Sequence, residues 1–255
     1  IGIDEKAIAK GHKYMTLVCN IQEGTVDDVL DGRTKESLED YFRRLTREQR
    51  DGIEAVAMDM WEPFIQSVWA NLGEGKIVFD PFHIVSHMTQ AVDLVRRREH
   101  QELQKAGDER LAKTKYLWLY GRENLPDKYR GRFAALKDAN LKTARAWAIK
   151  ESLRDLWHYR SRAWAMKHWR SWYFWATHSK LKPVIEVARM IKRHLPEVMT
   201  YFEHRITNAV SEGLNSKVQT IKKMACGFRN QHHFKIAILF HCGGLQLYPL
   251  THAKV

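Results

Sequence analysis

The sequence predicts an α/β fold in which a sheet with flanking helices is interrupted by a large all-helical insertion. Two observations lead to this prediction. Residues 1–83 alternate short apolar runs with helical patterns, in the order three strands, helix, strand, helix, strand. From residue 84 to 200 the strand pattern disappears and only helical periodicity remains. We therefore divide the chain into a first part of the core (1–83), a helical insertion (84–200) and a completion of the core (201–255).

Three strands open the chain, and their pattern is typical of an antiparallel meander. They are β-branched or aromatic runs separated by turn residues such as Glu23-Gly24. The predicted strands are Ile1–Asp4, Tyr14–Gln22 and Thr25–Leu30.

A helix is predicted from Thr34 to the turn at Asp51-Gly52. Its apolar residues recur at helical spacing: Leu38, Tyr41, Phe42 and Leu45. A strand, a helix and a strand follow: Ile53–Met58, Trp61–Leu72 and Lys76–Phe79.

The insertion shows helical periodicity throughout, with prolines at the expected helix starts or breaks. Its clearest segments are Leu141–Arg154, Trp157–Thr177 and Leu181–Leu195. Beyond it, Glu197–Ala225 is strongly helical, and a last apolar helix begins near Phe234.

Charge is unevenly distributed along this chain of net charge +12. Residues 1–83 contain 10 Lys and Arg against 16 Asp and Glu, whereas residues 142–235 contain 19 against 6. An acidic part can hold cations and a basic part can hold phosphates. The pattern favours nucleic acid as the substrate.

The three cysteines, Cys19, Cys226 and Cys242, show no Cys-x-x-Cys spacing, which argues against a disulfide framework or a cysteine zinc cluster. No run approaches the roughly 20 apolar residues that span a bilayer, and no signal peptide is recognised. We expect a cytoplasmic protein. We also expect residues before Ile1, because the chain starts without Met inside a strand.

Three isolated carboxylates suggest an assembled metal site. Asp4 and Asp59 each close an apolar run, and Glu212 lies on a distant helix. Mg²⁺ prefers oxygen ligands, and two such ions roughly 3.5–4 Å apart can promote phosphoryl transfer. Other interpretations remain open: Asp59 could cap the helix that follows it, and Glu5 could take the place of Asp4.

Several motifs resemble those of the ISL-three family of bacterial insertion-sequence transposases, whose catalytic domain has a ribonuclease-H-like fold with a mixed five-stranded sheet. The resemblance covers essentially the whole chain. The motifs are Asp59-Met60-Trp61-Glu62-Pro63-Phe64, Asp80-Pro81-Phe82-His83-Ile84-Val85, Tyr116-Leu117-Trp118, Asn208-Ala209-Val210-Ser211-Glu212-Gly213-Leu214-Asn215-Ser216-Lys217 and Gly227-Phe228-Arg229-Asn230.

The resemblance implies that Asp4, Asp59 and Glu212 form an acidic triad holding Mg²⁺, for which Mn²⁺ would substitute. It implies cleavage at the ends of the element, followed by attack of the freed 3′-hydroxyl on target DNA. The expected partners are double-stranded DNA, as element ends and as target, and further copies of the chain in a homodimer or higher assembly. Full-length relatives resemble a fusion with an upstream zinc-finger and helix-turn-helix segment, which this sequence does not contain.

Four residues are candidates for positions beside the triad. Asp80 competes with Asp59 for the role of second acid, although Asp-Pro is also a favoured helix start. His83 follows one turn later and would either face the acids or fill a polar gap. On the helix of Glu212, residues Asn208 and Asn215 share its face together with Ser216 and Gln219.

The opposite face of that helix carries residues predicted to be buried: Leu214, Val218, Ile221 and Ala225. Basic residues follow within a few turns and are predicted to contact DNA phosphates, the alternative being a solvated basic face. They are Lys217, Lys222, Lys223 and Arg229.

Seven of the nine tryptophans lie between Trp118 and Trp175. Interleaved with basic residues, Trp157, Trp164, Trp172 and Trp175 could form a platform for unpaired bases. The same spacing also predicts the core stripe of a packed helix, and we expect most of them to be buried.

Two other functions are compatible with the sequence. One is a ribonuclease-H-like nuclease or junction resolvase without strand transfer. The other is a catalytically silent DNA-binding protein derived from a transposase.

Overall fold

The computed structural model describes residues 1–9 and 13–245. Contacts divide the chain into two units. The sheet unit contains Ile1–Asp80 and the residues from His204 onward, and the helical unit is Pro81–Glu203. The sequence places the corresponding divisions after residues 83 and 200.

The sheet unit is built on a mixed five-stranded sheet with the strand order β3-β2-β1-β4-β5. The first three strands are antiparallel neighbours, whereas β4 pairs in parallel with β1 and with β5. This arrangement confirms the predicted α/β fold of ribonuclease-H-like type. The strands are β1 Gly2–Ala9, β2 Lys13–Asn20, β3 Thr25–Asp31, β4 Val56–Met58 and β5 Ile77–Phe79.

Five helices of the sheet unit flank this sheet: α1 Lys35–Arg44, α2 Arg47–Asp51, α3 Glu62–Leu72, α11 Ala209–Met224 and α12 Gln231–Cys242. Alternate residues of β2, among them Met15 and Leu17, pack in one buried cluster with Leu214, Val218 and Phe234. Because side chains alternate along a strand, these residues define the sheet face that α11 and α12 cover.

Three predictions about local structure were wrong. The predicted helical segment Glu197–Ala225 is interrupted between His204 and Ala209, where Arg205 has a φ of 52°. The helix predicted from Thr34 to Asp51 is two helices, because Thr46 starts α2 with a capping box to Gln49. Asp4 does not end its strand. β1 continues to Ala9, because its antiparallel pairing with β2 extends from Gly2 opposite Cys19 as far as Ala9 opposite Lys13.

The helical unit contains helices α4 to α10 and two 3-10 turns, Arg122–Asn124 and Leu156–His158. The helices are α4 Pro81–Lys105, α5 Lys115–Leu119, α6 Asp127–Asp138, α7 Lys142–Asp155, α8 Arg162–Thr177, α9 Lys182–Arg193 and α10 Leu195–His204, whose last residue belongs to the sheet unit. The long helix α4 packs against α7 and α9. Each helix in the described ranges is too short or too polar to span a bilayer.

A buried carboxylate fixes the start of α7 on α4. Glu99 accepts hydrogen bonds from the backbone N–H groups of Lys142 and Thr143, both at 2.7 Å, and from the Thr143 hydroxyl at 2.6 Å. The first N–H groups of a helix have no partner within the helix, so the carboxylate satisfies donors that would otherwise be buried without an acceptor.

We predict that Glu99→Ala lowers the free energy of unfolding of the helical unit by about 1–3 kcal/mol, because buried N–H groups lose their acceptor. Urea denaturation followed by tryptophan fluorescence measures the change. The matched control is Glu102→Ala on the same helix, where an exposed ion pair with Lys142 is removed. That change is expected to cost less than about 1 kcal/mol. Equal losses in the two variants would contradict the capping role.

Candidate active site

Asp4, Asp59 and Asp80 lie on or directly after the three parallel strands, and we call them the carboxylate row. Gly2 of β1 lies opposite Ala57 of β4, and Met58 lies opposite Phe79 of β5. If these registers continued for two residues and for one residue beyond the paired positions, Asp4 would align with Asp59, and Asp59 with Asp80. Because side chains alternate along a strand, all three start from the face on which Gly2 lies, which α11 covers.

Helix α11 is attached to this row at its first residues. The backbone N–H of Asn208 donates to Asp80 Oδ2 at 2.7 Å, and the Asn208 side-chain amide donates to the Ile3 carbonyl at 3.4 Å. Two turns later the Asn215 amide donates to Asp4 Oδ2. The helix therefore lies along β1, with amide side chains directed at the strand that carries Asp4.

The close approach of α11 to β1 depends on a glycine. A Cβ atom added to Gly2 would overlap the Ser211 hydroxyl and press on Asn208. Ser211 is fully buried beside Cys19. Burial raises the pKa of the Cys19 thiol to about 12, and the neighbouring Ser211 hydroxyl acts in the opposite direction. The thiol is therefore neutral at physiological pH, as expected of a core residue.

The Asp4 carboxylate is half-buried and held in position at both oxygens. Its Oδ1 accepts the backbone N–H of Glu5 at 2.8 Å, and its Oδ2 accepts the Asn215 amide. Asp4 is thus presented as an oriented acceptor on the α11 face.

Glu5, the alternative to Asp4, lies on the opposite face of β1 and has a basic partner there. Its carboxylate is 3.6 Å from the Arg33 guanidinium, which itself lies over the rings of Tyr14 and Trp61 at 4.1 and 4.7 Å. Burial raises the pKa of Glu5, Arg33 lowers it, and the charges of Asp59 and Asp4 raise it further. The ion pair gives Glu5 a structural role and argues against its replacing Asp4.

Asp80 is buried, with 4% of its surface exposed, and it accepts the N–H of Asn208 at the start of α11. Negative charge at a helix N-terminus is stabilising. Asp59 is half-buried and lies directly after β4. The contact with Asn208 assigns Asp80 to anchoring the helix, which favours Asp59 as the second acid of the site.

Glu212 is exposed on the flank of α11 nearest the carboxylate row. At about 100° per residue, it lies about 40° around the helix from Asn208 and about 60° from Asn215. Both amides reach β1, whereas Leu214 packs on the other flank with β2 and β3 residues. Glu212 is therefore on the side of the helix that borders Asp4.

The predicted burial of the apolar face of α11 is confirmed in part, and the polar face, predicted as a site candidate, contains both buried and exposed residues. Asn208 and Asn215 are buried, as is Ser211, while Glu212 is exposed. On the predicted apolar face Leu214 and Val218 are buried, Ile221 is half-buried and Ala225 is exposed. The buried stripe is rotated toward the amides because α11 packs on β1 as well as on β2.

Comparison with known proteins identifies the family. The sequence matches the profile of a transposase family over residues 1–238. The chain belongs to the ISL-three family of DDE transposases.

Two curated relatives support this membership. The transposase for insertion sequence element IS1001 of Bordetella parapertussis is 29% identical over 241 residues, which cover 93% of this chain and 59% of the relative. The transposase for insertion sequence element IS1557 of Mycobacterium tuberculosis is 25% identical over 276 aligned positions, covering 99% and 62%. The chain thus spans about three-fifths of the length of these relatives. The search of solved structures found no significant match to this chain.

A metal site of the kind expected for the ISL-three transposase family was tested against the residues present. Within the described ranges, no three or more His, Cys, Asp or Glu side chains are close enough together to hold an ion. The donors around the row are nonetheless all oxygens, the ligand type that Mg²⁺ prefers. Asn208 Oδ1 and Asn215 Oδ1 are buried and meet no hydrogen-bond donor among the described residues, so they are suited to metal-bound water. The oxygen donors of these residues are thus of the type that Mg²⁺ binds.

His83 lies in the first turn of α4, in the helical unit, and its proposed place beside the acids stays a prediction. The predicted DNA-contacting residues Lys217, Lys223 and Arg229 are exposed, and Lys222 is half-buried. At about 100° per residue, Lys223 lies within about 20° of Glu212 around α11, whereas Lys217 lies about 140° away. Lys223 is thus the lysine aligned with the acidic flank.

We predict that Gly2→Ala destabilises the sheet unit by about 1–3 kcal/mol, because the added methyl group forces α11 away from β1. Urea denaturation measures the loss. The control is Gly213→Ala on α11 itself, where an added Cβ meets no atom within 4 Å. This change is expected to stabilise the helix by up to about 1 kcal/mol. A neutral Gly2→Ala would contradict the tight seating of α11.

Proposed function

We propose that this chain is the catalytic domain of a metal-dependent DNA transposase. It would cleave DNA at the ends of an insertion sequence and join the resulting 3′-hydroxyl to target DNA. One observation carries the proposal: the helix that presents Glu212 is attached to Asp4 through Asn215, and β1 is paired in parallel with β4, the strand that Asp59 directly follows. Membership of a transposase family gives this arrangement its chemical context.

Asp4, Asp59 and Glu212 would hold the ions, with Mg²⁺ as the natural metal and Mn²⁺ as a substitute. Bound at such a site, divalent ions activate the attacking oxygen and stabilise the leaving oxygen of a phosphodiester. The carboxylates supply negative charge on rigid elements, a strand, a strand end and a helix. Asn215 orients Asp4 and leaves its own carbonyl oxygen available to bound water.

The basic residues would hold the DNA backbone near the carboxylates. Lys223 and Lys217 on α11 and Arg229 in the following turn are exposed and can reach phosphates, with Lys222 between them. Phosphate contacts of this kind position DNA without reading its sequence. Each contact releases counterions, so binding would weaken steeply as salt is raised.

Double-stranded DNA would supply both substrates: the ends of the element and the target. Since both ends of an element must be cut and joined together, the working form would be a homodimer or a higher assembly on DNA. The relatives are named as transposases of insertion sequences, in agreement with this substrate.

We predict that Glu212→Gln reduces both cleavage and joining at least about 100-fold, because one charge at the reacting phosphate is lost while the side-chain shape is kept. The assay combines the chain with labelled element-end DNA, a target plasmid and Mg²⁺ or Mn²⁺. Binding of the end DNA should change less than about twofold, since Glu212 contributes no attraction to phosphate. Full activity in this variant would contradict the triad.

The same assay separates the possible functions for the wild-type chain. Joined products support transposition. Cleavage without joining would instead identify a nuclease or resolvase, and DNA binding without either product would identify a catalytically silent protein.

Asp59→Asn and Asp80→Asn form a matched pair that distinguishes a metal ligand from a helix anchor. We predict that Asp59→Asn lowers cleavage at least about 100-fold with unchanged stability. Asp80→Asn should keep activity within about threefold but lower the free energy of unfolding by about 1 kcal/mol, because the hydrogen bond from Asn208 loses its charged acceptor. The reverse pattern in cleavage and urea denaturation would assign Asp80 as the second acid.

A further inference from the structure

Three large aromatic side chains of the helical unit are exposed on one helix. This unit contains seven tryptophans. Four of them are buried, Trp118, Trp147, Trp169 and Trp172, and Trp157 is half-buried. The remaining two are on α8, where Trp164 is 57% exposed and Trp175 is 39% exposed. Phe174, next to Trp175, is 64% exposed. We expected most of Trp157, Trp164, Trp172 and Trp175 to be buried. Only Trp172 is buried, Trp157 is half-buried, and Trp164 and Trp175 on α8 are exposed.

These side chains follow one face of α8. Trp164 and Trp175 are eleven residues apart, which places them within about 20° of each other around the helix and about 16 Å apart along it. We define the α8 stripe as the exposed residues on this face: Trp164, Lys167, Ser171, Phe174, Trp175 and His178. The Lys167 ammonium lies 5.1 Å from the Trp164 ring centroid, and His178 stacks on Phe174 at 4.0 Å.

The α8 stripe is not needed for the core. The opposite face of α8 is already buried through Ala165, Trp169, Trp172 and Ala176, and the Trp172 indole N–H donates to the Ile149 carbonyl at 2.9 Å. Exposed aromatic surface of this extent on one helix points to an interaction. The folded unit therefore keeps these rings accessible at a face that packing does not require.

Charge indicates the class of partner. Pro81–Glu203 contains 25 Lys and Arg against 13 Asp and Glu, so the helical unit carries the whole net charge of +12, and the rest of the chain is balanced at 17 against 17. Helix α8 itself contains no acidic residue. A partner for this surface is thus a polyanion that also presents flat apolar faces.

Unpaired DNA bases meet both requirements better than a duplex or a protein. In a duplex the base faces are stacked on one another, so exposed indole rings have no open base face on which to stack. In protein interfaces lysine is depleted from the core of the contact, yet Lys167 lies in the middle of the α8 stripe. Single-stranded DNA offers phosphates for Lys167 and open base faces for Trp164 and Trp175.

We propose that the α8 stripe binds single-stranded DNA, with bases stacked on Trp164 and Trp175 and a phosphate held by Lys167. This inference rests on the proposed function and deepens it: a strand end freed by cleavage can fray and present unpaired bases. The helical unit would then hold frayed or cleaved strand ends, in addition to the duplex contacts assigned to the residues of α11.

The test measures fluorescence anisotropy of a fluorescein-labelled single strand of about 16 nucleotides, and of the same strand in a duplex, with the full chain over a range of salt. Stacking contributes about 1–3 kcal/mol per base, or about 5- to 150-fold in affinity. The double variant Trp164→Ala/Trp175→Ala should bind the single strand at least about 25-fold more weakly and the duplex within about twofold of wild type. The salt slope should be unchanged, because no phosphate contact is lost.

Two variants serve as controls. Tyr116→Ala removes an aromatic side chain that is 68% exposed elsewhere in the helical unit and lies beside Lys115, and it should change neither affinity by more than about twofold. Trp164→Phe/Trp175→Phe keeps an aromatic ring at each position and should retain most of the single-strand affinity. Equal urea midpoints for all variants establish that the fold is intact.

Three results would overturn the inference: unchanged single-strand binding in the alanine double variant, an equal loss on duplex and single strand, or dissociation of an oligomer in light scattering with DNA binding unchanged. The last result would identify a protein interface. Failure of the proposed function is separately visible, because Glu212→Gln should bind the single strand like wild type. If the chain neither cleaves nor joins DNA but still binds single strands through the tryptophans, the proposed catalytic activity is rejected and the α8 inference stands.

Discussion

The seating of α11 on β1 is the constraint on which the rest of the site depends. Gly2 leaves room for Ser211, so the helix lies close enough for its amides to reach the strand. Those contacts join residues more than 200 positions apart, since Asn208 meets Ile3 and Asn215 meets Asp4. The residues between them include the entire helical unit. Closure of so long a loop costs entropy that grows only slowly with its length, so a few well-placed contacts can maintain it.

The chemistry of the α11 interface is unusual for a helix that packs on a sheet. Asn208, Ser211 and Asn215 are buried at positions where leucine or alanine would cost no desolvation. The side-chain oxygens of Asn208 and Asn215 meet no hydrogen-bond donor among the described residues, so a contribution to stability alone does not explain their burial. Polar groups of this kind orient a carboxylate and accept water. The interface gives up part of its apolar packing to place Asp4, and this connects the fold to the proposed chemistry.

The sequence predicted the sheet well because its strands are short apolar runs between clear turns. The acidic triad stays a prediction, which rests on two acids that end such runs and on the family resemblance. The sequence did not predict that Asp4 lies within its strand, since Glu5 and Lys6 interrupt the apolar pattern while pairing with β2 continues. From the sequence alone, Asp80 remained an alternative to Asp59 as the second acid. Its hydrogen bond with the backbone N–H of Asn208 joins residues 128 positions apart, which a local pattern does not reveal. Isolated polar residues are usually exposed, and nothing in the sequence indicates that the amides of α11 are buried against β1. Tertiary contacts reversed that preference.

The two units divide the electrostatic tasks of the chain. The sheet unit is balanced in charge overall, yet its central row is acidic, and an acidic row repels DNA unless cations occupy it. The helical unit carries the whole positive excess and would supply the long-range attraction for phosphates. Within the sheet unit, Arg33 forms an ion pair with Glu5 on the face of β1 opposite Asp4. Under the proposed function, the insertion between Asp80 and His204 would supply affinity for DNA, and the acids on the α11 face would bind metal ions.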